Sequence, residues 1–463
     1  MVRGLALLLG IVWAQRIISR TQIQVEGYAV EKVGLPQSPA PAGKGRFAFV
    51  EYWVKDKPKP GYYVECLNTQ YYTQWSFPLT DVPEAGIGKP FRLLGLRDAL
   101  VVLSYEADPL NKGTVQEAAR FLSLKGEPIF PKWTPISVYD RPAPDAISQI
   151  ALSPDSSYFL WYAYQVDKKG LVSRAWYALW SSSGRKVAAQ SDWQLEGPIV
   201  AAAPDNRMNF WTLQAPPTGP KKLFFHDTKA RTTRAWNLDV DTVLYAPWLY
   251  VTPKAIYVGG LIPAEKTLPH QQGAVGAWAV GKLALPLTDT SRIVWSKAPL
   301  PPEWLSLYKE PTHFTPRWTT LHADTALYVV WEDAWERAGT HLAYDLWVTR
   351  WAIADTAAQF LWSYRIEKRQ REPFPEAVSF LHGLNETFLT VAFLTERTGK
   401  GILRAYLLNH QTGEALTKDL ATNAAGDLLL LPGRAAYLSP QEVICLALAP
   451  PGKNGYQIYH IRF

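Results

Sequence analysis

Asp289-Thr290-Ser291-Arg292-Ile293-Val294-Trp295 joins a polar turn to a short strand that carries one tryptophan. The phrase returns as Asn68-Thr69…Trp75, Gly126…Trp133, Gly184…Trp193, Asp227-Thr228…Trp236 and Asp355-Thr356…Trp362. A further copy, Gln411-Thr412-Gly413, has Lys418 near the tryptophan slot. Steps between the tryptophans run from about 43 to about 67 residues, the range of a repeating β-sheet module.

A second marker sets the register. The turns are Gly43-Lys44-Gly45, Arg97-Asp98, Pro154-Asp155, Pro204-Asp205-Asn206, Pro253-Lys254, Ala323-Asp324, Leu384-Asn385 and Pro440-Gln441. Each precedes an apolar run such as Tyr158-Phe159-Leu160-Trp161 or Val443-Ile444-Cys445-Leu446. Asp, Asn and Pro suit tight turns because they preset φ or bond their own backbone. The β-branched and aromatic runs suit strands buried on both faces.

Each module therefore reads strand A, tight turn, strand B, longer loop, strand C, tight turn, strand D. Four antiparallel strands repeated radially describe an all-β fold, the β-propeller. The A–B turns outnumber the C–D phrases by one. The last module lacks its strand D, and Thr21-Gln22-Ile23-Gln24-Val25-Glu26-Gly27-Tyr28 is an orphan alternating strand at the other end. Pairing that strand with the C-terminal blade closes the sheet and leaves no exposed edge. This reading gives eight blades. Seven blades with an irregular end is the alternative.

Length and composition fit one large repeat fold. The chain has 463 residues, with 48% hydrophobic and 19% charged residues, enough for a large core and against wholesale disorder. A net charge of +7 is mild over this length, and no long run of like charges supports nucleic-acid binding. Residues 1–14 read as a secretory signal: Arg3, an apolar run from Gly4 to Val12, then Val12-Trp13-Ala14 before the cleavage point. Residues 15–463 read as a single propeller domain. No stretch reaches the roughly 20 apolar residues of a spanning helix. The expected location is the periplasm, the cell surface or outside the cell. Cys66 and Cys445 fall in the first and last modules, where a disulfide would clamp the closure, while two buried thiols are the simpler reading.

The loops between modules point to a binding face. Those around residues 80–90, 134–146, 296–318 and 363–377 are long, and long loops in a compact repeat carry function more often than the repeat itself. They hold the candidate binding residues Asp140, Arg141, Trp304, Tyr308, His313, Arg317, Trp318 and Arg365. Nucleophile-elbow, HExxH, P-loop, GxGxxG and EF-hand patterns are all missing, so no catalytic residue, metal site or cofactor is assigned. Asp239-Val240-Asp241 reads as a turn, and His322 and His382 as hydrogen-bonding residues before equivalent turns.

Two family resemblances arise at the turns. Asp289-Thr290…Trp295, Asp355-Thr356…Leu361-Trp362 and Gln411-Thr412-Gly413-Glu414 resemble the D-x-x-T-G-x-x-x-W phrase of quinoprotein-like propellers. That superfamily includes eight-bladed alcohol dehydrogenases and the propeller lipoprotein of outer-membrane protein assembly. Ile150-Ala151-Leu152-Ser153-Pro154-Asp155-Ser156-Ser157-Tyr158 looks like the S-P-D-G strand of TolB-type, WD40-like propellers. Both resemblances imply a bacterial exported propeller, and fold alone does not imply activity. The quinone enzymes resembled carry a vicinal Cys-Cys pair and the assembly lipoprotein a lipobox Cys. This chain has neither.

The expected function is a non-catalytic scaffold, a monomer that binds protein or polysaccharide at the cell envelope. A carbohydrate-active hydrolase or lyase is the alternative, expected to show carboxylates converging beside Trp or Tyr. A quinone-dependent dehydrogenase is a more distant third reading.

Overall fold

The computed structural model describes residues 24–30, 39–53, 57–58, 60–79, 87–107, 115–140, 143, 145–238, 244–263, 275–300, 314–337, 340–366, 380–397, 400–422, 430–448 and 456–463. Their strands form eight four-stranded antiparallel sheets, with no helix among the described residues. The protein is an eight-bladed β-propeller, and the seven-bladed alternative falls.

The strands of blades 1 to 7 lie in chain order within residues 40–78, 87–135, 147–190, 199–237, 245–299, 314–366 and 380–422. Blade 8 takes strands from both ends of the chain: Leu430–Ser439, Glu442–Leu448 and Tyr456–Arg462, then Gln24–Val30. Gln24 pairs with Arg462 and Val30 with Tyr456 in an unbroken antiparallel ladder. The orphan strand is thus the missing strand D. Blades 1, 7 and 8 make one compact unit and blades 2 to 6 another.

Burial follows strand position. Strand A is innermost, since the A strands of successive blades approach one another in blades 3 to 6 and again in blades 8 and 1. Strands B and C are covered on both faces, as in Tyr158–Val166 and Val172–Ser181 of blade 3. Strand D is largely exposed, as in Thr232–Asn237 of blade 4. The core lies between blades. Leu94, Phe121, Phe159, Trp161 and Trp176 join blades 2 and 3, while Phe47, Phe49, Ile444 and Tyr456 join blades 1 and 8. Tyr456 Oη also donates to Glu51 Oε2 at 2.7 Å, and a Cβ on Gly383 would run into the Phe463 ring. Cys66 and Cys445 are both free and buried, and burial raises their thiol pKa values to about 11 and about 12.

The tight turns tie neighbouring blades together. Asp205 Oδ1 accepts the backbone N–H groups of Arg207 and Asn209, at 2.7 and 2.9 Å, closing its own turn. Between blades, Arg97 N–H donates to Ser156 O at 2.9 Å and Ser182 Oγ to Asp98 Oδ2 at 2.9 Å. Trp236 Nε1 reaches Ser291 O at 2.9 Å, and Lys254 Nζ meets Asp324 at 2.6 Å.

Two expectations need correction. Trp75, Trp236, Trp295 and Trp362 stand in strand D, whereas Trp133 precedes the two-residue strand Thr134–Pro135 and Trp193 follows Lys186–Gln190. Arg317 and Trp318 belong to strand A of blade 6 (Phe314–His322) and Arg365 to its strand D (Ala358–Ile366), not to loops. Proline misled the reading. Strand A is a sheet edge, so a residue without an N–H is tolerated there. Pro90, Pro247 and Pro316 sit in strands A whose register slips beside them.

Deleting residues 21–30 should strip the cover from Tyr456–Arg462 and leave its edge open to other chains. Light scattering should show aggregation well below the melting temperature of the full chain. A deletion variant that stays monomeric and melts like its parent would show that this ladder does not hold the fold.

Candidate binding site on blades 3 and 4

Two adjoining clefts meet at the loop that leaves strand D of blade 3. The smaller, about 190 Å³, lies between that loop and the one entering blade 3, with Asp140, Arg174, Asp192 and Trp193 among its walls. The larger, about 590 Å³, runs between the outer parts of blades 3 and 4. Its volume is that of a small-molecule or peptide site, on the order of 300–1,000 Å³. Strand D of blade 3 (Lys186–Gln190) forms one side, and the C–D turn of blade 4 with Thr232 and Thr233 the other. Tyr177, Trp193 and His226 lie beneath.

The loop into blade 3 is fixed from below. Asp140, exposed at the surface, accepts Trp176 Nε1 at 2.9 Å. Tyr139 packs edge-on against Trp161 and Trp176, with centroids 5.2 and 5.1 Å apart. Beneath them Glu117 is buried, accepting Ser148 Oγ on one carboxylate oxygen and Trp161 Nε1 on the other. Burial pushes its pKa up and these two bonds oppose the rise. The Glu117 side chain thus ties two strands of blade 3 to blade 2, while its backbone N–H donates to Ser137 Oγ at 3.1 Å and its carbonyl accepts Ile136 N–H at 2.9 Å at the start of the loop.

The floor of the larger cleft is equally constrained. His226 stacks on Phe210 with centroids 4.5 Å apart and meets the edge of Trp193 at 5.3 Å. Tyr177 packs on Trp193 and Phe210 at 5.1 and 4.8 Å. His226 Nε2 lies 3.0 Å from Thr212 Oγ1, Gln214 Nε2 donates to that hydroxyl at 3.0 Å, and Glu196 N–H donates to Gln214 Oε1 at 2.9 Å. On the other side of the ring Nδ1 lies 3.4 Å from Thr233 Oγ1, so a hydroxyl faces each ring nitrogen. The imidazole is neutral, its pKa lowered to about 3 by burial. Burial raises the Tyr177 pKa, and the nearby Arg231 guanidinium opposes the rise.

Of the residues singled out in the sequence, Asp140 lines the smaller cleft. Arg317 is the extra residue of a bulge between Pro316 and Trp318, and its Nε is bonded by the buried Glu332 carboxylate. Arg365 lies over the Trp347 ring, 5.8 Å from its centroid, and Trp318 is half-buried in its strand. Arg141, Trp304, Tyr308 and His313, like Asp239 and Asp241, lie outside the described residues. His382 stacks on Tyr437 and its Nδ1 is 3.0 Å from the Tyr437 hydroxyl. Sequence reading missed Arg174, Asp192, Tyr177 and His226. Three are in or beside strands read only as repeat, and just the out-of-place Trp193 could have drawn attention to them.

No family model matches the chain, and no curated protein matches it. Solved structures do. The polysaccharide lyase Uly1 is 9% identical over 80% of this chain and 89% of its own, with a TM-score of 0.44. The β-propeller domain of the trilobed protease of Pyrococcus furiosus is 9% identical over 81% and 92%, with a TM-score of 0.39. TolB of Acinetobacter baumannii is 11% identical over 81% and 79%, with a TM-score of 0.29. Such identities speak to the fold alone.

The buried imidazole makes stability depend on pH. Its folded pKa lies below the ordinary 6.5, so its contribution is present above 6.5 and is lost as pH falls toward about 3. Each unit of that difference is worth about 1.4 kcal/mol. His226→Gln should therefore lose less stability than the parent between those two pH values. Parallel melting-temperature curves for the two proteins would contradict a neutral, buried His226.

Proposed function

We propose that this protein is an exported, non-catalytic β-propeller that acts as a binding scaffold, with the paired clefts of blades 3 and 4 as its docking surface. One observation carries the reading. The clefts join across Asp192, Trp193 and Gln194, and together they present carboxylates, hydroxyls, amides and arginines over a fixed aromatic floor. Mixed polar groups on rigid support suit recognition of an extended ligand. The partner is a protein or polysaccharide of the cell envelope, reached through the signal-like residues 1–14.

A specific feature favours the carbohydrate-active alternative as a second reading. Asp140 and Asp192 line one cleft beside Trp193 and Arg174. Paired carboxylates near an aromatic ring are the parts a glycosidase uses, and the gap between them decides what they can do.

The two readings separate in one experiment. The chain from Gln15 onward is immobilised and offered purified envelope proteins and a polysaccharide panel. A scaffold retains one of these intact, and Arg174→Glu weakens retention at least about tenfold, roughly 1.4 kcal/mol. Shortened polysaccharide products that vanish in both Asp140→Asn and Asp192→Asn would move the assignment to the hydrolase or lyase. Retention indifferent to Asp140→Ala, Arg174→Glu and Asp192→Asn would remove the docking surface from blades 3 and 4.

A further inference from the structure

Strand D of each blade is a sheet edge and so a template for another strand. Proteins usually guard such edges with proline or charge. Here Pro78 stands in strand D of blade 1, Arg234 in that of blade 4, Lys297 in blade 5, Arg365 in blade 6 and Lys418 in blade 7. Blade 2 has only Thr134–Pro135, and the strand D of blade 8 contains Glu26.

Blade 3 differs. Its outer strand reads Lys186-Val187-Ala188-Ala189-Gln190, and past Lys186 it has neither proline nor charge. Lys186 itself stands at the turn end, with Nζ 5.8 Å from the Trp180 ring centroid. The same strand lines the 590 Å³ cleft. An uncharged stretch of edge in regular register, Ala188-Ala189-Gln190, and a cleft therefore coincide.

We propose that strand D of blade 3 accepts an extended peptide segment of a partner protein as a fifth strand, with the peptide's inward side chains entering the cleft between blades 3 and 4. The proposal rests on these blades being the docking surface. Val187, Ala188 and Ala189 are small enough for a second backbone to approach to about 4.8 Å, the spacing of paired strands. Main-chain bonds to the edge supply affinity, and alternate side chains supply selectivity. The cleft holds Asp192 and Asp227 against Arg231, and His226 is neutral, so the lining is net acidic. The segment it suits alternates β-branched with basic residues.

The test uses the full chain with short alternating Thr-Lys peptides, and Thr-Glu peptides of the same length. Backbone amide exchange across Lys186–Gln190 is followed by NMR. The Thr-Lys peptide should slow exchange at outward-facing amides at least about tenfold, and the Thr-Glu peptide should not. Ala189→Lys, at an exposed position, should abolish the protection by placing a charge on the edge. Ala189→Thr should keep it, and Asp192→Asn should narrow the difference between the peptides. Protection absent with every peptide, or unchanged in Ala189→Lys, overturns the added strand. If Arg174→Glu releases an envelope ligand that Ala189→Lys leaves bound, the docking surface stands and only the strand proposal fails. A concentration-dependent dimer abolished by Ala189→Lys would make the occupant a second copy of this chain, and would overturn the partner peptide.

Discussion

Within each compact unit the structure depends on covering the faces of a blade with the neighbouring blade. A four-stranded sheet with Trp, Tyr and Phe on both faces is insoluble alone and has no centre of its own. Its core is therefore shared, as Trp248, Trp278, Trp331, Trp347 and Trp351 show between blades 5 and 6. A buried aromatic side chain removes about 150–250 Å² from water, worth about 4–6 kcal/mol by area. That margin matters, because the indole N–H groups of Trp133, Trp180, Trp211, Trp248 and Trp331 are buried without an acceptor among the described residues. Each such donor costs about 1–3 kcal/mol. The apolar gain exceeds that loss, so tryptophan can serve as a packing element where its hydrogen bond is forgone.

A repeat whose units contact only their neighbours has two end units with one bare face each. Blade 8 meets that constraint by taking one strand from near the chain's beginning and three from near its end. The Tyr456–Glu51 hydrogen bond and the cluster of Phe47, Phe49, Ile444 and Tyr456 join it to blade 1 by the same means used elsewhere. Blade pairing thus needs no special device at the termini beyond the added strand.

How far the sequence foretold this follows from what each signal encodes. Turn residues act locally, so Asp205 and Pro154 marked their turns correctly. The orphan strand was legible because a count of strands is a one-dimensional fact. Strand A was harder, because its proline and its bulge look like a loop in the sequence. Arg317 was accordingly placed in a loop, whereas a bulge and the Glu332 carboxylate hold it in a strand. The clefts were not legible. They arise between the outer parts of neighbouring blades, and that depends on the angle between sheets and on no spacing along the chain.

The two ends of a blade also answer to different demands. At the turn end, backbone and side-chain groups are committed to the next blade, as with Arg97 to Ser156, Trp236 to Ser291 and Lys254 to Asp324. A ligand arriving at those contacts would have to displace bonds that hold blades together. At the loop end of blade 3, Glu117, Tyr139 and Trp176 fix the loop from beneath and leave Asp140 exposed above it. Between blades 3 and 4, His226, Thr212 and Gln214 likewise satisfy one another below the larger cleft, while Arg231 and Thr232 of the blade 4 C–D turn stand at its surface with Asp192. Support from below with polar groups exposed above keeps the reorganisation needed on binding small. That arrangement, more than any single residue, is what makes the clefts of blades 3 and 4 suited to recognition.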